Sequence, residues 1–267
     1  MNWKRFVATH ITLLMTVNMF NIIGSDSALA ASKKIPNGIV AQIFNDGLDV
    51  SEVFLNSYGK QHGNSWHEPN SSYINFYGFV YKFDIPEFRK RVLRRLYIYN
   101  VANLKSNKLQ VKPLDKAFEL EATFESKGSE IKGICRRKRL IRKGYRNCII
   151  GQDKGAPDVN WENPNIRLQL VPISYKGGIA LKAVDVQVGG EFQAAGICNI
   201  GIDICNSFTD YKGKIKKSIA DAIMTHFNSD TVRQKMSDTS LKNLPGIINI
   251  SNIKSVSMQN GFVEIEY

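Results

Sequence analysis

Residues 165–227 constrain the fold more than any other stretch, because two alternating segments are followed there by an amphipathic helix. Segments 166–174 and 179–188 each alternate apolar with polar residues and flank a Gly-Gly pair, which predicts an antiparallel hairpin. The alternation changes phase at Val184, and such a change inside a strand predicts a β-bulge that bends the sheet. Segment 191–205 predicts a third strand.

The next segment has the spacing of an amphipathic helix over 210–228, with Asp210 as a suitable N-cap. Its apolar positions recur at helical intervals, and lysines take the opposite side. These apolar positions are Ile215, Ile219, Ala222, Ile223 and Phe227. A shorter helix is predicted over 230–237. The fold class is therefore α+β, a curved antiparallel β-sheet packed around one long amphipathic helix, plus a short second helix.

Strands are also predicted outside this unit. Segment 118–125 alternates apolar residues with glutamates and a threonine, which predicts one buried face and one wet face. Segment 73–83 is aromatic and has strand periodicity. A closing hairpin is predicted around Asn260-Gly261, since Asn-Gly is a strong turn signal. Segment 46–57 is compatible with a short helix.

The first thirty residues have the features of a secretory signal peptide. Lys4 and Arg5 precede a largely apolar run, which ends in small residues at Ala30. Cleavage there would leave residues 31–267 as a single exported α+β domain in the periplasm or outside the cell. An uncleaved membrane anchor is the alternative interpretation of the same run.

The chain has four cysteines, and an even number in an exported protein favours disulfides. Among three possible connectivities, the local pairs Cys135–Cys148 and Cys198–Cys205 are predicted. A zinc site would need shorter Cys-x-x-Cys spacings, which are absent. No metal and no cofactor is predicted.

Seven of the twelve residues between Cys135 and Cys148 are basic, in a chain of net charge +12. A disulfide at the base would hold them as a hairpin. Their mutual repulsion is tolerable only in water or against an anion. Leu140, Ile141 and Tyr145 lie beside the arginines, which suits a membrane surface with phosphate head groups. The basic residues are Arg136, Arg137, Lys138, Arg139, Arg142, Lys143 and Arg146.

Segment 88–99 contains five further basic residues and predicts a short basic helix that runs into a strand. Both basic segments have two interpretations, a surface that faces an anionic partner or a solvated surface without one. The partner would be a lipid or an anionic membrane surface, with an anionic glycan or a protein as alternatives. Nucleic acid could bind by the same chemistry but is disfavoured.

Segment 58–72 is rich in Gly, Asn, Ser and Pro, which predicts a loop. His62, Trp66 and His67 lie in this loop. A surface loop with an aromatic residue, a sugar-binding edge and a metal or catalytic site are all compatible with these residues.

Four segments together resemble the tubular lipid-binding superfamily of bactericidal permeability-increasing protein: 166–188, 198–205, 214–227 and 261–267. The resemblance covers the second half of the chain. It implies an apolar groove between sheet and helix that holds acyl chains. The residues that would line the groove are Leu168, Leu170, Ile179, Leu181, Ile219, Ile223 and Phe227. Ordinary core packing is the alternative for these residues.

The leading hypothesis is an exported, non-enzymatic binder of lipid or another amphiphile, with the basic hairpin on anionic head groups or membrane. The alternative is a secreted interaction or adhesion module that binds a protein or polyanion through the same hairpin. A hydrolase of unknown type is the third hypothesis. His62, His67, Glu68 and Asp158 could supply acid–base groups for it, but the sequence contains no Gly-x-Ser-x-Gly, no His-Glu-x-x-His and no phosphate-loop motif.

Overall fold

The computed structural model describes residues 32–58, 61–62, 66–67, 72–128, 130–140, 144–148, 156–193, 202–244 and 253–267, with backbone alone for 61–62, 66–67 and 202–206. The helices of these ranges are α1 Asn37–Asp46, α2 Ile202–Phe227 and α3 Asp230–Asn243. Their strands are β1 Ser32–Pro36, β2 Glu52–Leu55, β3 Gln61–His62, β4 Trp66–His67, β5 Tyr73–Phe76, β6 Phe79–Lys82, β7 Phe88–Val92, β8 Arg95–Val101, β9 Leu104–Pro113, β10 Phe118–Phe124, β11 Ile131–Lys138, β12 Tyr145–Asn147, β13 Asn160–Glu162, β14 Asn165–Tyr175, β15 Gly178–Val188, β16 Glu191–Gln193, β17 Ser255–Gln259 and β18 Phe262–Glu266.

The largest sheet has seven strands in the order β15-β14-β10-β9-β2-β5-β6, and every pair in it is antiparallel. Strand β10 shows why these residues form a sheet, since Phe118, Leu120 and Ala122 are buried and the glutamates between them are not. The bulge predicted at Val184 is confirmed. Register in β14–β15 shifts so that Val184 has no partner between Ala183 and Asp185.

Helix α2 packs against β15 and also contacts β7 and β5. Its buried apolar residues follow the helical period of three to four residues, and this apolar stripe joins the core of the sheet. They are Phe208, Tyr211, Ile215, Ile219, Ala222, Ile223 and Phe227. Helix α3 begins after Ser229, whose hydroxyl accepts a hydrogen bond from the amide of Val232 at 3.4 Å. A side-chain acceptor at this position satisfies one amide that the helix leaves unpaired.

Four smaller groups of strands occur among the described residues. The first described strand and the last two form a three-stranded sheet in the order β1-β18-β17, which confirms the predicted closing hairpin. A four-stranded sheet in the order β12-β11-β8-β7 is named the basic sheet below. Strands β13 and β16 form one two-stranded ladder, and β3 and β4 form another.

The α+β class with mostly antiparallel sheet is confirmed, but the structure differs from the prediction at four places. Helix α1 occupies Asn37–Asp46, where no helix was predicted. Segment 46–57 contains β2 because Val53 and Leu55 are both buried on one face of a sheet. Segment 88–92 is a strand because it pairs with β8. In segment 191–205, Glu191–Gln193 is a strand and residues 202–205 belong to α2 instead, while residues 194–201 lie outside the described residues.

None of the helices in the described ranges has both the length and the apolar character needed to cross a membrane.

Candidate functional site

The basic sheet brings the two basic segments of the sequence side by side. Strand β11 pairs with β8 on one side and with β12 on the other, so that Arg137 lies opposite both Arg95 and Arg146. The amide of Lys138 donates to the carbonyl of Arg94 at 2.8 Å. The β7–β8 turn and the end of β11 therefore lie at the same edge. This edge, residues 92–95 and 137–140, is named the tip.

Helix α2 positions the basic sheet through an aromatic cluster on the sheet's inner face. Phe88 and Phe208 meet edge to face, with ring centroids 5.7 Å apart, and the Tyr211 hydroxyl donates to the carbonyl of Tyr99 at 2.9 Å. Lys90 on the same face donates to the Ser207 hydroxyl at 3.0 Å. Such contacts hold the sheet in one orientation and leave its tip free.

The predicted disulfide Cys135–Cys148 is present and closes the basic hairpin at its base. Its Cα atoms are 5.4 Å apart, and the amide of Cys148 donates to the carbonyl of Cys135 at 3.1 Å. A cross-link over so few residues contributes about 3 kcal/mol to stability on the chain-entropy account. The second predicted pair lies outside the described residues, because Cys198 and the side chain of Cys205 are not described.

Glu130 fixes the start of β11. Burial disfavours its carboxylate, yet the amide of Trp161 at 3.0 Å, the hydroxyl of Ser126 at 3.0 Å and the amides of Lys127 and Gly128 all donate to it. The pKa of Glu130 is therefore lowered from its ordinary value, since these donors outweigh the burial. This ionised side chain ties β11 to β13.

The charge of the basic sheet is not balanced within it. Residues 88–101 and 131–148 contain thirteen Lys and Arg and no Asp or Glu. Five basic side chains at the tip are exposed, and none of them forms an ion pair with any described residue. They are Arg94, Arg95, Arg137, Lys138 and Arg139. Like charges in neighbouring strands repel, so this arrangement costs folding free energy that an anionic partner would recover.

Two leucines at the tip are exposed beside these charges. The side chain of Leu93 is 93% exposed and that of Leu140 is 71% exposed. Leu93 also has a φ of 52°, a left-handed conformation that favours glycine. Neither backbone geometry nor packing within the described residues accounts for a leucine there. Beside it, Val92, Tyr97 and three arginines line a hollow of about 610 Å³.

The structure places most of the predicted basic residues on the basic sheet. Arg137, Lys138 and Arg139 are at the tip, Arg146 is exposed on β12, and Arg136 is half-buried on the outer face. Arg142 and Lys143 lie outside the described residues.

The seven apolar residues predicted to line a groove are buried to within 1% of full burial. Leu168 and Leu170 come from β14, Ile179 and Leu181 from β15, and the other three from α2. They form one hydrophobic cluster, and none of them lines the hollow at the tip.

Leu93 was not predicted as a site residue, and Arg94 and Arg95 were predicted only as part of a basic segment that faces either an anionic partner or solvent. The run of arginines was the available signal, but a basic helix was predicted there and a helix would have spread these residues around its axis. The histidine loop contains a short ladder in which His62 lies opposite Trp66 and His67 opposite Gln61. Its side chains are outside the described residues. Among the described residues, no group of three potential metal ligands occurs.

Comparison with known proteins gives little more. No family model matches the chain, and no curated protein sequence matches it. One similar solved structure is a "Crystal structure of lipopolysaccharide binding protein", with a TM-score of 0.42 and 12% identity over 70% of this chain and 43% of that chain. The match thus spans less than half of that protein's length. A likeness of this degree carries no argument about function, and the resemblance to the tubular lipid-binding superfamily remains a prediction.

Proposed function

We propose that this protein is an exported, non-enzymatic binder of anionic lipid surfaces that attaches through the tip of the basic sheet. The observation that carries the proposal is the meeting of two hairpin ends, each with an exposed leucine among unpaired basic side chains. Apolar groups that enter the interface next to cations that hold the head groups are the usual features of a peripheral membrane contact.

The charges supply attraction over distance. A Lys or Arg near an anionic membrane contributes about 1 kcal/mol, so the five exposed basic residues of the tip supply up to about 5 kcal/mol. Arginine guanidinium groups also bind phosphate in a bidentate manner, which favours lipid head groups over diffuse negative charge. The hollow lined by Arg94, Arg95 and Arg137 is open to such a group.

The leucines distinguish a lipid surface from a soluble polyanion. A polyanion offers no apolar layer, and exposed Leu93 and Leu140 would gain nothing from it. A bilayer would bury both side chains, each at up to about 2 kcal/mol. The secreted adhesion module remains the competing proposal, with the same basic residues and no use for the leucines.

In this proposal the rest of the chain is the scaffold of the tip. The proposal retains the predicted curved sheet packed around α2. Complete burial of the seven predicted groove residues supports a packing role for them. The disulfide supports export, since disulfides persist in oxidising compartments. The signal peptide at residues 1–30 and the single exported domain at 31–267 are part of the same proposal.

Sedimentation with lipid vesicles tests the proposal. Vesicles of phosphatidylcholine with about one-third phosphatidylglycerol have a negative surface potential that attracts basic residues, and pure phosphatidylcholine vesicles do not. We expect binding to the first and little to the second. A rise in salt from about 0.1 M to about 1 M should weaken binding to the anionic vesicles, since the Debye length falls from about 10 Å to about 3 Å. Equal binding to both vesicles, or none to either, contradicts the proposal.

A charge-matched pair of variants separates specific from diffuse attraction. Arg94→Gln with Arg95→Gln removes two charges at the tip, and Lys235→Gln with Lys242→Gln removes two from exposed positions on α3. The tip variant should bind anionic vesicles at least tenfold more weakly, since it loses about 2 kcal/mol. The α3 variant should bind like the wild type. Equal losses in both variants would mean that net charge alone drives binding.

A further inference from the structure

Strand β7 lies at one edge of the basic sheet in the described part of the chain, with β8 as its neighbour on one side. A two-residue turn joins β7 to β8, so Val92 and Arg95 form the hydrogen-bonded pair that closes the turn. Bonded and non-bonded pairs alternate along antiparallel strands, which directs the backbone N–H and C=O groups of Arg89 and Arg91 away from β8. These groups bond to no described residue. The edge can therefore pair with another strand.

A hollow of about 650 Å³ lies along this edge and leaves room for an added strand. Residues 87–90 form one wall of the hollow, and one stripe of α2 forms the other. The stripe consists of Ser207, Asp210, Tyr211 and Lys214. Neighbouring strands lie about 4.8 Å apart, and successive side chains point to opposite faces. A strand paired with β7 would therefore pass beside this stripe and direct every second side chain into the hollow.

The charge of β7 favours an acidic partner, because three of its five residues are basic. Arg89 and Arg91 lie on the outer face, away from α2, and Lys90 lies on the inner face. Arg89 forms an ion pair with Glu87, whereas the Arg91 guanidinium donates to the neutral hydroxyl of Tyr145. Carboxylates on every second residue of a partner strand would lie opposite the two arginines.

We propose that the edge of β7 binds an extended acidic peptide segment, which pairs antiparallel with β7 and adds a strand to the basic sheet. The segment has Glu or Asp at two positions separated by one residue. These two residues exchange main-chain hydrogen bonds with Arg89 and Arg91, and their carboxylates contact the two guanidinium groups. The residue between them enters the hollow beside α2. This site goes beyond the proposed function and does not depend on it.

Fluorescence anisotropy on the purified chain tests the site with a labelled peptide, acetyl-Thr-Glu-Thr-Glu-Thr-amide. N-methyl groups on both glutamates keep the charges and remove the two N–H groups that would face β7. We expect this peptide to bind about twentyfold more weakly than the parent, at about fivefold for each lost hydrogen bond. N-methyl groups on the last two threonines remove N–H groups that face solvent, so that peptide should bind within about threefold of the parent. Glutamine in place of both glutamates should weaken binding at least about tenfold.

A charge-matched pair of variants assigns the peptide to this edge. Arg91→Gln and Arg146→Gln each remove one exposed charge, from β7 and from β12, which lie three strand spacings apart. Arg91→Gln should bind the peptide about fivefold more weakly, because it loses one charge-assisted contact. Arg146→Gln should bind like the wild type, because about 14 Å exceeds the Debye length at about 0.1 M salt. Equal losses in both variants would mean attraction by net charge alone and would overturn the site, as would equal affinity for the parent peptide and the peptide methylated on its glutamates.

Amide hydrogen exchange resolved by residue gives a readout that charge attraction alone does not change. The amides of Arg89 and Arg91 should exchange fast in the free chain and slowly with the parent peptide bound. The amide of Lys90 faces β8 and should change less. Saturable binding without protection at Arg89 and Arg91 would overturn pairing at β7. So would the absence of any binding up to about 1 mM peptide.

Discussion

Replacing Leu93 and Leu140 by glutamine should weaken vesicle binding without weakening the fold. Both side chains are exposed, at 93% and 71%, so their apolar surface is free in solution and contributes little to folding. A fully buried leucine is worth about 2 kcal/mol. Scaled by these exposures, insertion of both into a bilayer contributes at most about 3 kcal/mol, which corresponds to about a hundredfold in Kd.

The assay is sedimentation with the phosphatidylglycerol vesicles at low salt. We expect the double variant to bind between about tenfold and about a hundredfold more weakly, with the spread set by depth of insertion. Leu114→Gln is the matched control, because Leu114 is also exposed, at 45%, but lies outside the basic sheet. A double variant that binds within about threefold of the wild type would refute the role of the leucines. A polyanion column should retain it like the wild type.

Three further predictions concern the scaffold. Cys135→Ser with Cys148→Ser should lower the free energy of unfolding by about 3 kcal/mol in urea titrations, and an unchanged midpoint would contradict the cross-link's role. Glu130→Gln should destabilise the fold by about 2 kcal/mol, because it weakens charge-assisted bonds from four donors. Because the pKa of Glu130 is lowered in the fold from its ordinary value of 4.5, the ionised carboxylate stabilises the fold above pH 4.5. This stabilisation should be lost as the pH falls further, and the Glu130→Gln variant should not show that loss. Burial lowers the pKa of His226, whose Nε2 lies 2.9 Å from the carbonyl oxygen of Phe79. The unfolded chain therefore binds a proton at His226 more tightly than the folded chain does. The free energy of unfolding should fall as the pH drops below 6.5. Thermal melting of His226→Gln should show a flatter pH profile, and an equally steep one would exclude His226 as the source.

Local alternation was sufficient to predict several strands, because a strand with one buried face repeats every two residues. Strand β10 and the bulge at Val184 follow directly from that period. The terminal hairpin follows from the turn chemistry of Asn260-Gly261, and the Cys135–Cys148 bridge follows from short separation in sequence. Each of these features is determined within about fifteen residues.

The start of α2 could not be predicted, because its first turn reads Ile-Asp-Ile and alternates like a strand. Burial of Phe208 and Tyr211 against the basic sheet extends the helix beyond the predicted start at Asp210. This tertiary contact overrides the local pattern. The tip was missed for a related reason. It depends on the register of β8 against β11, which joins residues about forty positions apart in sequence.

The most direct test of the central claim is amide hydrogen exchange on the purified chain with and without anionic vesicles. We expect that vesicles slow exchange at residues 92–95 and 138–140 and leave the exposed strand β6 unchanged. Exchange at these two turns reports contact at the tip itself, independently of any substitution. Protection centred on the β5–β6 hairpin, or bound protein whose tip exchanges as fast as in solution, would contradict attachment through the basic sheet.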